Sequence, residues 1–172
     1  MTLSKRCRFK TKRLKIEHWK DIYASPEGLA QVVLTVLTEE VVSLLPGDLN
    51  HVDPLDKAKK WILERDRESD VFIISNDEET IGFLILNEMT IENKQEMKLG
   101  CFLSQEFWGQ GFGSELVQGL VVWCKEDGII KKLSGGVDIK STASIRMLEK
   151  NGFTVSAQGN LNAGMIIMGR EI

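Results

Sequence analysis

Phe107-Trp108-Gly109-Gln110-Gly111-Phe112-Gly113-Ser114-Glu115 is the stretch from which the fold can be read. An apolar run, Leu99, Cys101, Phe102 and Leu103, leads into it. Behind it Leu116, Val117, Leu120, Val121 and Cys124 recur at helical spacing. The glycines therefore sit where a strand ends and a helix begins. Gly109, Gly111 and Gly113 allow a tight turn whose backbone can approach a ligand closely. The free N–H groups of the helix's first turn point into that turn, with the positive end of the macrodipole behind them. This arrangement binds phosphate without Lys or Arg. Glycines between strand and helix also serve simply as a turn, and the stretch alone does not separate the two uses. Two named phosphate motifs do not fit: the dinucleotide fingerprint needs its third glycine one residue after Gly113, and the P-loop needs Gly-Lys-Ser/Thr. Glu96 and Lys98 also break the solid apolar run of a central parallel strand.

Outward from this stretch, the 172 residues suit one domain over 1–172 with a real core. A composition 42% hydrophobic and 27% charged is that of an ordinary globular protein. No apolar run approaches the ~20 residues of a membrane span, and the start, MTLSKRCRFK, has no apolar segment of a signal peptide. Cys7, Cys101 and Cys124 are odd in number and lack metal-ligand spacing, which fits a reducing cytoplasm and no metal. Cys101 and Cys124 read as small core residues. The first twenty residues hold eight Lys or Arg against Glu17 alone, a local charge of +7; with −3 overall, the rest carries −10. Such a basic arm either touches RNA or an acidic partner, or is a solvated strand edge whose charges discourage aggregation. No nucleic-acid motif accompanies it, so neither a nucleic-acid nor a membrane partner is expected. The acidic remainder suits a cationic acceptor.

In chain order, Lys10 to Glu17 reads as a first strand, with Leu14 and Ile16 alternating with charge. Asp21 to Leu45 holds one short and one longer helix, with a start after Ser25, ended by the turn Pro46-Gly47-Asp48. Asp53-Pro54-Leu55-Asp56 begins another helix, whose Leu55, Ala58, Trp61, Ile62 and Arg65 share a face; Trp61 is read as core. Val71–Ser75 and Thr80–Leu86 form a hairpin about Asn76–Glu79. A turn around Ile91–Gln95 returns the chain into the strand Glu96–Leu103. The Gly111–Glu126 helix ends at Asp127-Gly128. A strand Lys132–Asp138, a helix Ser141–Lys150 and strands Phe153–Ala157 and Met165–Met168 about Gly159-Asn160 complete the chain. Three antiparallel strands followed by strand–helix–strand–helix–strand–strand make an α+β (mixed α/β) fold: a mixed central sheet of about seven strands with helices on both faces.

Leu103 to Gly113 resembles the acyl-CoA pyrophosphate loop of the GNAT N-acetyltransferases. That pattern is Arg or Gln, two residues, Gly, one residue, Gly or Ala. Gly111 and Gly113 match it, and Trp108 stands where Arg or Gln is usual. Trp-Gly-x-Gly-Tyr/Phe-Ala/Gly-x-Glu is typical of the ribosomal-protein N-terminal acetyltransferase branch. Ser141 to Phe153 resembles that branch's Asn-x-x-Ser…Glu-Lys-x-Gly-Phe, Thr11-Lys12-Arg13-Leu14 its opening, and Ile81-Gly82 its third strand. The resemblance implies the same mixed fold, with the strand before the glycine loop splayed from the next one and the pantetheine arm in the gap; Gly135-Gly136 would fit such a gap. It implies acetyl-CoA as co-substrate and a primary amine as acceptor, either small or the N-terminus of a protein such as a ribosomal protein. It assigns cofactor binding to Phe102, Leu103, Trp108, Gly109, Gln110, Gly111, Phe112, Gly113, Ser114, Ser141, Ser144 and Lys150.

Acetyl transfer to an amine passes through an oxyanion that calls for a donor, needs a base or water chain for the ammonium proton, and profits from an acid at the departing thiolate. The superfamily often supplies the acid as a Tyr four residues before the Gly of Gly-Phe, which is Leu148 here. The ribosomal-protein branch places a Ser at the position of Ser144. A hydroxyl there also serves to bond local backbone at a helix start. For the base, the family's Glu falls at Lys98; Glu96, two residues earlier on the same strand face, and Glu88, at the end of the preceding strand, are the candidates. His18 and His51 receive no role. The alternative to an enzyme is a CoA-binding module that has lost catalysis; monomer and homodimer stay equally open.

Overall fold

The computed structural model describes residues 1–38, 55–156 and 164–172. The expected Pro46-Gly47-Asp48 turn, His51, the Asp53-Pro54 cap and the Gly159-Asn160 turn lie outside the described residues. In order, the elements are α1 (Leu3–Arg6), β1 (Phe9–Lys10), β2 (Lys15–His18), α2 (Trp19–Ile22), α3 (Pro26–Val36), α4 (Leu55–Glu68), β3 (Asp70–Ser75), β4 (Thr80–Ile91), β5 (Lys94–Leu103), α5 (Phe112–Asp127), β6 (Lys132–Asp138), α6 (Thr142–Lys150), β7 (Thr154–Val155) and β8 (Met165–Glu171). The strands form one mixed sheet in the order β1-β2-β3-β4-β5-β6-β8-β7.

Among the described residues there are eight strands rather than seven, because the first expected strand is folded in two. The Thr11 N–H donates to the Leu14 carbonyl at 2.8 Å, turning the chain so that β1 pairs back on β2. The hairpins appear where turn chemistry places them. Asn76 Oδ1 accepts the N–H groups of Glu78 and Glu79 at 2.9 and 2.8 Å and closes the β3–β4 turn. Glu92 and Asn93, both at positive φ (49° and 64°), make the two-residue turn that lets β4 and β5 run longer than expected.

Alternation along the strands feeds a separate core on each face of the sheet. Phe72 and Ile74 point with Leu84, Leu86, Met97 and Leu99 toward α1, α5 and α6, meeting Leu116, Val117, Leu120 and Cys124. Val71 and Ile73 point the other way with Phe83 and Phe102, toward α2, α3 and α4. Trp61 is core as expected, its ring 6.3 Å from Phe83 and 6.1 Å from Phe102. Leu55 is not: it is 39% exposed although Ala58 and Ile62 on the same helix are buried. Among the described residues no helix is long and apolar enough to cross a membrane.

The feature that positions the site is the meeting of β5 and β6. They pair in parallel over only Glu96↔Lys132, Met97↔Leu133 and Lys98↔Ser134. Beyond that, β6 follows β8 as far as Asp138↔Met165, while β5 stays with β4 to Gly82↔Leu103. The parting comes at Gly135, where a β-carbon would stand 3.1 Å from the Leu99 carbonyl oxygen. Past it lie five residues of β5, about 17 Å of strand, with no partner on the β6 side among the described residues.

The basic N-terminal segment is in part the solvated edge expected, since β1 is the edge strand and Lys10 and Lys12 are exposed, but it is also tied down. Arg6 bonds Glu88 at 2.7 Å and Asp127 at 2.5 Å, Arg8 bonds Asp21 at 2.7 Å, and Arg13 bonds Glu115 at 2.7 Å. These cations tie the segment to the acidic body by internal pairs. The Arg6 and Asp127 side chains are each only 10% exposed and Glu88 is 27% exposed, so removing the cation strands two carboxylates. Arg6→Met should therefore cost about 2–4 kcal/mol, near the low end for breaking a buried pair because Glu88 keeps some water. Chemical denaturation checks this; an unchanged midpoint would mean the network is energetically idle.

Candidate active site

The glycine loop forms as its spacing requires. After β5 a single 3-10 turn, Gln105–Phe107, leads to Gly109 (φ 70°) and to Gly111 (φ 82°), which is the N-cap of α5. Both are left-handed, a conformation glycine adopts without strain. The N–H groups of Gly111, Phe112, Gly113 and Ser114 have no acceptor among the described residues, and the first bond of the helix is Glu115 N–H to the Gly111 carbonyl at 3.0 Å. Four consecutive free donors at the positive end of a sixteen-residue helix have the geometry and polarity to hold an anion.

The loop is held by neighbours of three kinds. Trp108, 38% exposed, donates its indole N–H to the Leu103 carbonyl at 2.8 Å and staples the loop to the end of β5. Gln110 Nε2 donates to the Glu106 carbonyl at 2.8 Å. Glu115 accepts from Thr11 Oγ1 at 2.5 Å, from the Arg13 backbone N–H at 2.8 Å and from Arg13 Nε at 2.7 Å. Burial alone would raise the Glu115 carboxyl, but the hydrogen bonds from Thr11 and Arg13, with the charge of Arg13, outweigh it and hold the group below its ordinary value. Arg13 was not among the expected site residues. Its signal in the sequence was the Thr11-Lys12-Arg13-Leu14 opening, which gave no hint that it would meet the loop.

Helix α6 closes the other side. Asn151 Nδ2 donates to Ser114 Oγ at 3.1 Å, and Met147 lies against Gly113. Ser141 is buried under the start of the helix, and its hydroxyl donates to Ser144 Oγ at 2.9 Å. Neither makes a side-chain capping bond to the helix backbone. The half-buried Ser144 thus keeps its own proton free to donate. Lys150 is exposed in the last turn, beside Asn151. Leu148, at the usual Tyr position, is 3% exposed and belongs to the core.

The structure separates the two glutamates. Glu88 stands across from Met97, so it faces α1 and α5, where Arg6 holds it. Its carboxylate is taken up by Arg6 on the face of the sheet opposite Glu96, so the two glutamates are not brought together. Glu96 and Lys98 face the opposite way, with Phe102 and toward α4. Glu96 is 3.6 Å from Lys132, two positions before the strands part. Gly100 lies on that same face, exposed, and among the described residues nothing comes within 4 Å of where its β-carbon would be. Phe102 was expected at the cofactor, but its ring sits in the aromatic cluster with Trp61 and Phe83 and only its main chain borders the gap. Leu103 faces α5, and its carbonyl takes the Trp108 bond. Cys101 is half-buried against the α5 core, where burial pushes its thiol up to about 11. His18, 5% exposed, caps α2 through Nδ1; burial lowers its pKa despite Asp70 and Asp66 nearby. An open groove of about 610 Å³ between Lys12, Arg13 and Glu78, Glu79 lies on the far side of Arg13 and does not reach the glycine loop.

Comparison with known proteins agrees with this geometry. Residues 14–154 match the family described as Acetyltransferase (GNAT) domain. No curated protein sequence matches the chain. Among solved structures, RimL, a ribosomal L7/L12 alpha-N-protein acetyltransferase in complex with coenzyme A, is 20% identical, with TM-score 0.73 over 96% of this chain and 98% of that one. The ribosomal-protein-S5-alanine acetyltransferase from Vibrio fischeri is 13% identical, with TM-score 0.73 over 96% of both chains. The microcin C7 self-immunity acetyltransferase MccE, with acetyl-CoA and AMP, is 14% identical, with TM-score 0.73 over 94% of this chain and 93% of that one. At these identities the likeness is one of fold.

The Glu115 cluster carries a pH signature. A carboxyl held below its unfolded value contributes stability that is complete above about pH 4 and is lost as the pH falls through the folded-state value. Melting temperature followed down in pH should therefore fall less steeply for Glu115→Gln than for the wild type, starting from a lower value at pH 7. Parallel curves would mean that the pair does not couple to folding.

Proposed function

The chain belongs to the GNAT acetyltransferases, and from that premise we propose that it transfers the acetyl group of acetyl-CoA to the primary amine of a protein N-terminus or a small molecule. The observation that carries this reading is the continuity of the four free amides at Gly111–Ser114 with the unpaired edge of β5. The amides take the pyrophosphate. The pantetheine arm, with its two amides, lies along β5 as a substitute strand and completes the ladder that β6 abandons at Gly135. The thioester then falls near Leu99 and Gly100, where, among the described residues, the sheet face toward α4 is open to an incoming amine.

The neighbours named for ribosomal-protein N-termini favour an α-amine of a polypeptide as acceptor. In this reading the amine attacks the thioester carbonyl, a tetrahedral oxyanion forms, and the C–S bond breaks. Much of the rate comes from holding both partners in the gap. Ser144 gives its free proton to the departing thiolate and regains one from solvent, while Ser141 orients its oxygen. Glu96, on the side from which the amine arrives, takes up the ammonium proton through water. Release of thiol from acetyl-CoA in the presence of small amines and ribosomal-protein N-terminal peptides tests this. Turnover with a peptide supports it; tight acetyl-CoA binding with no turnover on any amine favours a CoA-holding module instead.

Two substitutions probe the parts. Gly111→Val forces a side chain into φ 82° and against Arg13 Nη2, 3.5 Å from where its β-carbon would stand, and so distorts the loop whose amides take the pyrophosphate. It should weaken acetyl-CoA binding at least about ten-fold, roughly 1.4 kcal/mol, as read by calorimetry; a folded variant with unchanged affinity removes the loop from the site. Ser144→Ala should lower kcat about ten- to a hundred-fold and leave acetyl-CoA affinity within about three-fold. Full turnover with a lowered melting temperature would make Ser144 a structural residue.

A further inference from the structure

Arg13 reaches the glycine loop from the turn between β1 and β2, 97 positions away in sequence. Its Nη1 donates to the Gln110 carbonyl at 2.9 Å, its Nε to Glu115 at 2.7 Å, and its guanidinium lies 4.1 Å from the centroid of the Phe112 ring. A planar trans peptide directs its C=O and N–H to opposite sides. With the Gln110 oxygen drawn out to Arg13, the Gly111 N–H of the same peptide is turned inward, where it has no partner among the described residues. Gly111 is at φ 82°, with no side chain to fix that peptide's orientation, so an external clamp is the remaining means of doing so. The charge of Arg13 is matched by Glu115, which leaves it little net field to offer an anion.

We propose that Arg13 is a positioning residue for the cofactor: it orients the Gly111 amide toward the pyrophosphate by holding the Gln110 carbonyl from outside, and takes the place of the Arg or Gln that Trp108 displaces from the loop. The assignment rests on the reading that the loop binds acetyl-CoA. It accounts for a loop with no Lys or Arg between Leu103 and Glu115. It also explains why the guanidinium is spent on a loop carbonyl and on Glu115.

The test compares acetyl-CoA with acetyl-pantetheine, which carries the same thioester and arm without the pyrophosphate. In full-length Arg13→Met, KM for acetyl-CoA should rise about ten-fold while KM for acetyl-pantetheine stays within about two-fold and kcat is preserved on both. Arg13→Lys, which keeps one donor and guards against misfolding of the Met variant, should recover part of the acetyl-CoA loss. Equal loss on both thioesters, or on neither, overturns the assignment. So does a wild-type affinity that falls steeply with salt and a variant affinity that does not, since that marks direct contact with phosphate. A wild type that binds acetyl-CoA, with Arg13 variants that show none of this selectivity, removes Arg13 alone. A wild type that does not bind acetyl-CoA overturns the functional reading and Arg13 with it.

Discussion

Three residue pairs of parallel ladder, Glu96–Lys98 with Lys132–Ser134, govern the rest of this molecule. Had the pairing run the full length of β5 and β6, the sheet would be closed and its backbone satisfied. Instead each strand is held by its other neighbour, β5 by β4 and β6 by β8, and the two are drawn apart after Gly135. An unpaired strand edge in the middle of a sheet is costly unless water or a ligand completes it. Here the edge leads directly into the turn that begins α5. One topological feature thus yields both a slot for an extended chain and, at its mouth, a helix N-terminus.

That mouth is organised by fixed dipoles and clamps rather than by free cations. Trp108 pins the loop to the strand end, Asn151 and Met147 press on the first turn of α5, and Arg13 with Glu115 holds the outer side. Each of these acts on backbone orientation. Donors aimed in advance need not reorganise when the ligand arrives, which is where such sites gain over flexible charged side chains. The second core, around Trp61, Phe83 and Phe102, supports the strand from behind.

The glycine loop was legible because its requirements are local. Only glycine suits φ near 70–80°, and the apolar run before it and helical repeat after it are visible within twenty residues. The mixed sheet with helices on both faces was legible from the order of strands and helices along the chain. What escaped were contacts between distant segments. Nothing near Arg6 announces Glu88 and Asp127, so the internal pairs of the basic segment were not foreseen and Glu88 stood as a candidate base beside Glu96. Thr11 and Arg13 resemble the family's opening, yet their service to Glu115, about a hundred positions on, appears only when β1 packs against α5. The split of the first strand was missed because the turn at Thr11–Leu14 contains no Gly or Pro.

The account's central claim is that acetyl-CoA enters between β5 and β6 with its pyrophosphate on the backbone of the loop. Backbone amide NMR of the labelled protein during an acetyl-CoA titration tests it most directly. The largest shifts should fall on the amides of Gly111, Phe112, Gly113 and Ser114, with a second set along Leu99–Leu103 on β5. Binding with shifts confined to the groove near Asn76–Thr80, and a silent glycine loop, would contradict it.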